Sequence, residues 1–325
     1  MNKKGVVFTF IVVTLLSIVL IAFLVNVSSK NNQIKIQNNN VKIETLNEFG
    51  KILDDQLLPQ ALKSSSNKVV LAWLQYLDET NVGINPNEEV FFNSDLNENL
   101  KEGILFERYN PGSGFVQLNA MSEYDKKNVL INYTLSSILE EVQELGTRSG
   151  INFSYADINN FVFEIGGYSP FELQVNMTIP DYHVSSFDKE IFWNFEDRKF
   201  SVLLNITNYR DPFMLVFNER NVTINQSSFD VNNPDDLVFE KVYRGPEYLA
   251  NNDAPSFLDR LQGSFNDNEN GIETIVYLTL NSDVSYIDHY YWKLNKEGCL
   301  IQNHPIYLDS GHLYGYMKQD PNCAF

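Results

Sequence analysis

The residues best equipped for chemistry gather near the C-terminus. His304 and His312 flank Asp309, and Asp288 and His289 precede them. His289, His304, Asp309 and His312 together would offer enough nitrogen and oxygen ligands for a tetrahedral zinc ion. A zinc-bound water is the nucleophile of many hydrolases. The spacing matches no established zinc motif, however, and tyrosine-rich surroundings suit histidines that are simply hydrogen-bonded in place. A second candidate is Asn266-Asp-Asn-Glu-Asn-Gly271, which imitates the start of a calcium loop. An EF-hand needs Asp first and a bidentate Glu twelfth, where this chain has Asn266 and Tyr277. A polar turn before a strand is the simpler reading. Arg260 and Glu273 could act together, although a guanidinium and a carboxylate more often form an ion pair that locks two elements. Trp73, Trp193 and Trp292 could make a sugar-binding platform, but large aromatics are usually core. Gly-x-Ser-x-Gly, His-Glu-x-x-His and the phosphate-binding P-loop do not occur. The expectation is a protein that is not an enzyme and needs no cofactor. The reading from another class is an anchored extracellular metal-dependent hydrolase.

The location is stated more plainly than the chemistry. Residues 6–25, VVFTFIVVTLLSIVLIAFLV, carry no charge. At 1.5 Å per residue they make about 30 Å of helix, the thickness of a bilayer's hydrocarbon. Lys3 and Lys4 precede the run and no basic cluster follows it, so the positive-inside rule places the bulk of the chain outside the cell. The run is longer than a secretory h-region and lacks a small-residue cleavage end, which favours a signal anchor. The net charge of −18 argues against nucleic acid, because a phosphate-binding surface needs a basic patch. Cys299 and Cys323 are the only cysteines, and outside the cell an isolated pair reads as one disulfide closing a terminal loop. Sequons begin at Asn26, Asn132, Asn152, Asn176, Asn205, Asn221 and Asn225, which permits an exterior location without proving it.

The elements that must position these residues follow from periodicity. Residues 26–42 are Asn-rich and read as a polar linker. Leu46, Phe49, Leu53 and Leu57 mark a helix that Pro59 should stop, with Thr45 and Glu48 at capping-box spacing. A second helix is expected over 68–77. A third is expected over 129–145, with Asn132 or Thr134 capping its start and Gly146 ending it. From Ile151 the texture turns to strands, at 161–165, 171–179, 190–195 and 200–206, with Pro180 and Asp197-Arg198 as breaks. Further strands are expected at 213–217, 221–224, 274–280 and 286–292. Helices followed by strands give an α+β plan: a membrane helix at 1–25, a linker at 26–42 and an extracellular α+β domain at 43–325. In that domain a helical layer covers an antiparallel sheet, and any subdivision falls near 150 or 245.

The Lys4-Gly5 junction before the apolar run resembles the site cut ahead of type IV pilin helices. Counted from Val6, the fifth position is Phe10, where typical pilins carry glutamate. Four more stretches matter beside it: Asn132-Tyr-Thr-Leu135, the Asp211-Pro212 that closes NITNYRDP, SFLDRL at 256–261, and GIETIV at 271–276. Together they resemble a family of archaeal membrane-anchored surface proteins with pilin-like N-termini. The resemblance supports a cell-surface location, and the chain as a whole reads as a non-enzymatic surface protein with an adhesion or assembly role, held to the membrane by its N-terminal helix. Its partner would be another surface protein or a glycan, and the resemblance supplies no catalytic residue.

Overall fold

Strand alternation builds the centre of the molecule. In a computed structural model, the described residues are 15–18, 34–80, 134–216, 222–227, 247–276, 285–289, 299–300 and 306–308. Strands β1 (Ile151–Tyr155), β2 (Val162–Ser169), β3 (Glu172–Ser186) and β4 (Phe192–Asn205) form an antiparallel sheet. β3 lies centrally: β4 follows its full length on one side, while β1 and β2 share the other. Leu173, Val175, Met177 and Ile179 are all buried, as the period of two requires. Each such side chain stabilises the fold by roughly 1.5–3 kcal/mol.

The expected breaks at Pro180 and Asp197-Arg198 are not strand ends. The ladder pairs Ile179 with Arg198, then Asp181 with Glu196, so the unpaired Pro180 and Asp197 lie opposite each other. Asp197 adopts a φ of 48°. Beyond this kink the buried set shifts to Tyr182 and Val184. Proline is tolerated there because no ladder hydrogen bond is asked of it. Two expected strands on either side of Asp197-Arg198 are therefore one.

Helices cover the inner face. α1 spans Ile34–Ile52 and α2 spans Leu58–Thr80, joined without a break by a π-helical turn at Leu53–Leu57. Pro59 does not stop the chain. The Leu58 amide bonds back to the Leu53 carbonyl, the wider π spacing, so the helix passes the proline that cannot donate. α1 also begins inside the stretch read as linker. Lys42 on it reaches Asp188 (2.5 Å) and Glu190 (3.4 Å) in the turn between β3 and β4. Thr45 bonds back to the Val41 carbonyl within the helix rather than capping it. α3 spans Leu135–Arg148; Thr134 caps it, its hydroxyl accepting from the Ser137 amide. Gly146 sits inside α3, and the left-handed residue is Gly150, at φ 77°.

The sheet and helices meet in one apolar cluster that includes Leu46, Phe49, Leu62, Leu139, Phe153, Val175 and Met177. A polar tie crosses it. Asp54 in the π turn takes hydrogen bonds from the Tyr182 hydroxyl and Arg198, and Tyr182 stacks on Phe195 at 4.7 Å. The α+β class is thus as expected. Of the apolar run at 6–25, only 15–18 are described; they are helical, with Leu15 and Ile18 buried in the same cluster and Leu16 exposed. Among the described residues no helix is long and apolar enough to cross a membrane.

Candidate functional site

Beyond β4 the chain forms short elements that bring charged groups inward. α4 (Pro212–Val216) occupies the stretch read as a strand at 213–217. Asp211 is the cause: its Oδ1 accepts from the Phe213 amide (2.9 Å), its carbonyl accepts from the Leu215 amide (3.0 Å), and Pro212 takes the first helical position. α5 (Phe257–Gln262) is too short to stand alone and is fixed at both ends. Ser256 and Asp259 make a reciprocal capping box, and Gly263 closes the helix at φ 70°. With both ends fixed, Arg260 points into the interior, 1% exposed.

Five short strands complete the setting: β5 (Asn225–Gln226), β6 (Glu247–Ala250), β7 (Ile272–Glu273), β8 (Ile275–Val276) and β9 (Ser285–Ile287). Arg260 Nη1 donates to Asp211 Oδ2 at 2.8 Å and to Asp288 Oδ2 at 2.5 Å. Nη2 donates to the Ile272 carbonyl, and the guanidinium lies 4.8 Å from the centre of the Phe213 ring. Tyr248 donates its hydroxyl to Asp211 at 2.7 Å. Asp288 Oδ1 accepts from the His289 amide at 2.8 Å and lies 3.2 Å from His289 Nδ1. The side chains of Arg260, Asp211 and Asp288 have no exposed surface.

Burial and charge pull these groups in opposite directions. Burial acts to lower the Arg260 pKa, but Asp211 and Asp288 outweigh it and leave the pKa raised. Burial also pushes the Asp211 carboxyl up, more than Arg260 holds it down. For Asp288 burial pushes up as well, yet Arg260 and His289 prevail and hold the carboxyl at about 2. Two carboxylates thus share one guanidinium nitrogen. A carboxyl depressed by folding stabilises the fold above its unfolded value of 3.8, and that contribution is lost as pH falls toward 2. A raised carboxyl does the reverse and is relieved as pH falls. Asp288→Asn should therefore cost about 3 kcal/mol at pH 7, the low end for removing one partner of a buried pair. Urea unfolding at pH 7 and pH 3 checks this; a loss as large at pH 3 as at pH 7 would contradict it.

The arrangement is a sealed ionic lock. It ties α4, α5, β6 and β7 to the end of β9, and no group in it faces solvent where a substrate could meet it. The sequence pairing of Arg260 with Glu273 is corrected here: Asp211 and Asp288 are the carboxylates on Arg260. Glu273 is buried one residue beyond the Ile272 carbonyl that Arg260 uses, and its carboxylate accepts from Asn251 at 2.8 Å. Asp211 and Arg260 both belong to stretches singled out in the sequence. What the sequence lacked was any sign that they meet. His289 is buried and follows β9 in a helical turn rather than a strand, and Asp288 is engaged by Arg260 and His289. His304, Asp309 and His312 lie outside the described residues. Among the described residues, no group of three His, Cys, Asp or Glu is arranged to hold a metal.

The calcium-like loop is a turn. Asn268 Nδ2 donates to Asp259 at 2.8 Å, and Asn268 Oδ1 accepts from the Asn270 amide at 2.9 Å. These bonds make it a brace for the α5 cap. Cys299 lies in β10 (Cys299–Leu300), which pairs with β11 (Ile306–Leu308); Cys323 lies outside the described residues. Thiol labelling of the unreduced chain should leave both cysteines unmodified, and full labelling of both would disprove the disulfide.

The exposed surface that stands out is the tip of the β3–β4 hairpin. Phe187 is 71% exposed, Phe192 68% and Trp193 36%. Lys42 holds this tip to α1 through Asp188, whose carboxyl it keeps low, at about 2. Of the three tryptophans weighed as a platform, Trp193 is in the open; the side chains of Trp73 and Trp292 lie outside the described residues. Compared with protein-family models, with curated proteins and with solved structures, the chain matches none.

Proposed function

We propose that this is a non-catalytic, membrane-anchored cell-surface protein whose exterior domain serves adhesion or surface assembly. The observation that carries the reading is the uncharged run at 6–25, with Lys3 and Lys4 before it and no basic cluster after it. Two further features support it. The buried Arg260 cluster has the character of a structural lock, and the aromatic hairpin tip offers a contact surface in an otherwise acidic chain. Aromatic side chains supply large apolar area for binding a protein or stacking on a sugar ring. Phe10 in place of glutamate favours an anchor, or a minor component of an assembly, over a major filament subunit.

The test is fractionation of cells that make the full chain, followed by treatment of intact cells with an impermeant protease. The chain should remain in the membrane pellet through an alkaline wash, and the protease should remove the folded domain that includes α1. A chain found free in the supernatant, or protected in intact cells, would overturn the proposal. A mature N-terminus at Val6, abundant in sheared surface filaments, would replace the anchor with a filament subunit.

A further inference from the structure

Three sequons fall on the described strands of the main sheet or at their ends, and all three present their asparagine to the same face. Leu173, Val175 and Met177 of β3 are buried on the inner face, so Asn176 and Thr178 belong to the outer one. Phe153 of β1 is buried inward beside Val184, which places Asn152 and Ser154 outward. Phe200, Val202 and Leu204 of β4 are buried inward, which places Asn205 outward at the strand's end. In β1 and β3 the period of two keeps the asparagine and the residue two positions later on one face.

Asn205 is the best prepared of the three. It is exposed, and its Oδ1 accepts from the Thr207 amide at 2.7 Å, which sets the sequon in a turn as the chain leaves the sheet. Asn225 is the contrast. Its Nδ2 donates to Thr223 Oγ1 at 3.3 Å, and its sequon hydroxyl, Ser227 Oγ, is buried and donates to Glu247 at 2.7 Å.

We infer that Asn205 carries an N-linked oligosaccharide, and that the outer face of this sheet, which also displays Asn152 and Asn176, is the glycan-bearing face of the protein. The inference rests on the exterior location proposed above. The donor is a lipid-phosphate-linked oligosaccharide. The Asn205 amide nitrogen bonds to the anomeric carbon, and the bond from that carbon to the phosphate oxygen breaks, its electron pair leaving with the lipid phosphate. One amide proton passes to a base of the transferase. A sugar at Asn205 projects from the end of β4 opposite the aromatic tip. Across a 14-residue strand that is about 40 Å, so a glycan at Asn205 leaves Phe187, Phe192 and Trp193 uncovered, whereas Asn152 lies in register with Ser185 and Phe192 beside the tip.

Glycopeptide mass spectrometry of the full chain, purified from the cells that naturally make it, tests the inference. The expected result is a sugar-mass addition on the Asn205 peptide and none on the Asn225 peptide. Thr207→Val should abolish the addition while Thr207→Ser preserves it, with the melting temperature unchanged in both. An unmodified Asn205, or an addition that survives Thr207→Val, would overturn it. Labelling intact cells with an impermeant amine reagent separates the two possible failures. A labelled chain without sugar at Asn205 ends this inference and leaves the exterior reading standing. A chain with neither label nor sugar ends both.

Discussion

Replacing Arg260 by alanine should destabilise the protein by about 3–5 kcal/mol, the range for breaking a buried ion pair from one side. The loss exceeds a missing contact because the substitution strands Asp211 and Asp288 together, both without exposed surface and both without their guanidinium. Arg260→Lys should restore only part of the stability. A lysine cannot reach both carboxylates and the Ile272 carbonyl with one planar fork, nor stack over Phe213 as Arg260 does. Combining Arg260→Met with Asp211→Asn and Asp288→Asn should do less harm than Arg260→Ala alone, since it removes the stranded charge along with its partner. For a domain of this size, 3 kcal/mol lowers the melting temperature by roughly 6–12 °C. Thermal unfolding of the detergent-solubilised chain reads the effect. An unchanged melting temperature for Arg260→Ala would show that the cluster does not hold the fold together.

Gly271→Ala should be the other severe change, with a loss at or above the upper end of the 1–3 kcal/mol typical of overpacking. A Cβ built at Gly271 would lie 2.1 Å from the Ala254 carbonyl oxygen and 2.2 Å from that of Asn251. Both are backbone atoms, so no side chain can swing aside. The same loop is pinned from several directions: the Gly271 carbonyl accepts from the Asn251 amide, and the Asn268 carbonyl accepts from the Gly271 amide. Yielding there would pull on β7 and on the loop before α5, and so on the seat of Arg260. Gly166→Ala is the control, because a Cβ at that glycine meets nothing within 4 Å. It should change the melting temperature little. If Gly271→Ala melted with the parent, the tight approach of the loop to itself would be wrong.

How much of this was legible beforehand depends on the range of the interaction concerned. The α+β class, the alternating strand at 171–179 and the stripe of α3 are local patterns, readable because burial on one face imposes a period of two or 3.6. Local rules also misled where distant contacts compensated for a broken one. Pro59 usually ends a helix, but the π turn carried the chain past it. Pro180 and Asp197 look like strand breaks, but placed opposite each other they made a kink.

The sequence by itself determined the uncharged run at 6–25, the acidic balance, and the residues able to cap, turn and pair. Tertiary structure alone decided their partners. Arg260 lies 49 residues from Asp211 and 28 from Asp288, while Glu273 is nearer in the chain and carries the right charge. Nothing local distinguishes these three carboxylates. The choice is made by which short elements pack around Phe213 and Tyr248, because a buried guanidinium binds whichever carboxylates the closing core leaves without water. The same holds for the three outward sequons. Their spacing is written in the chain, but which strand face is covered by helices is fixed when the sheet closes against α1, α2 and α3.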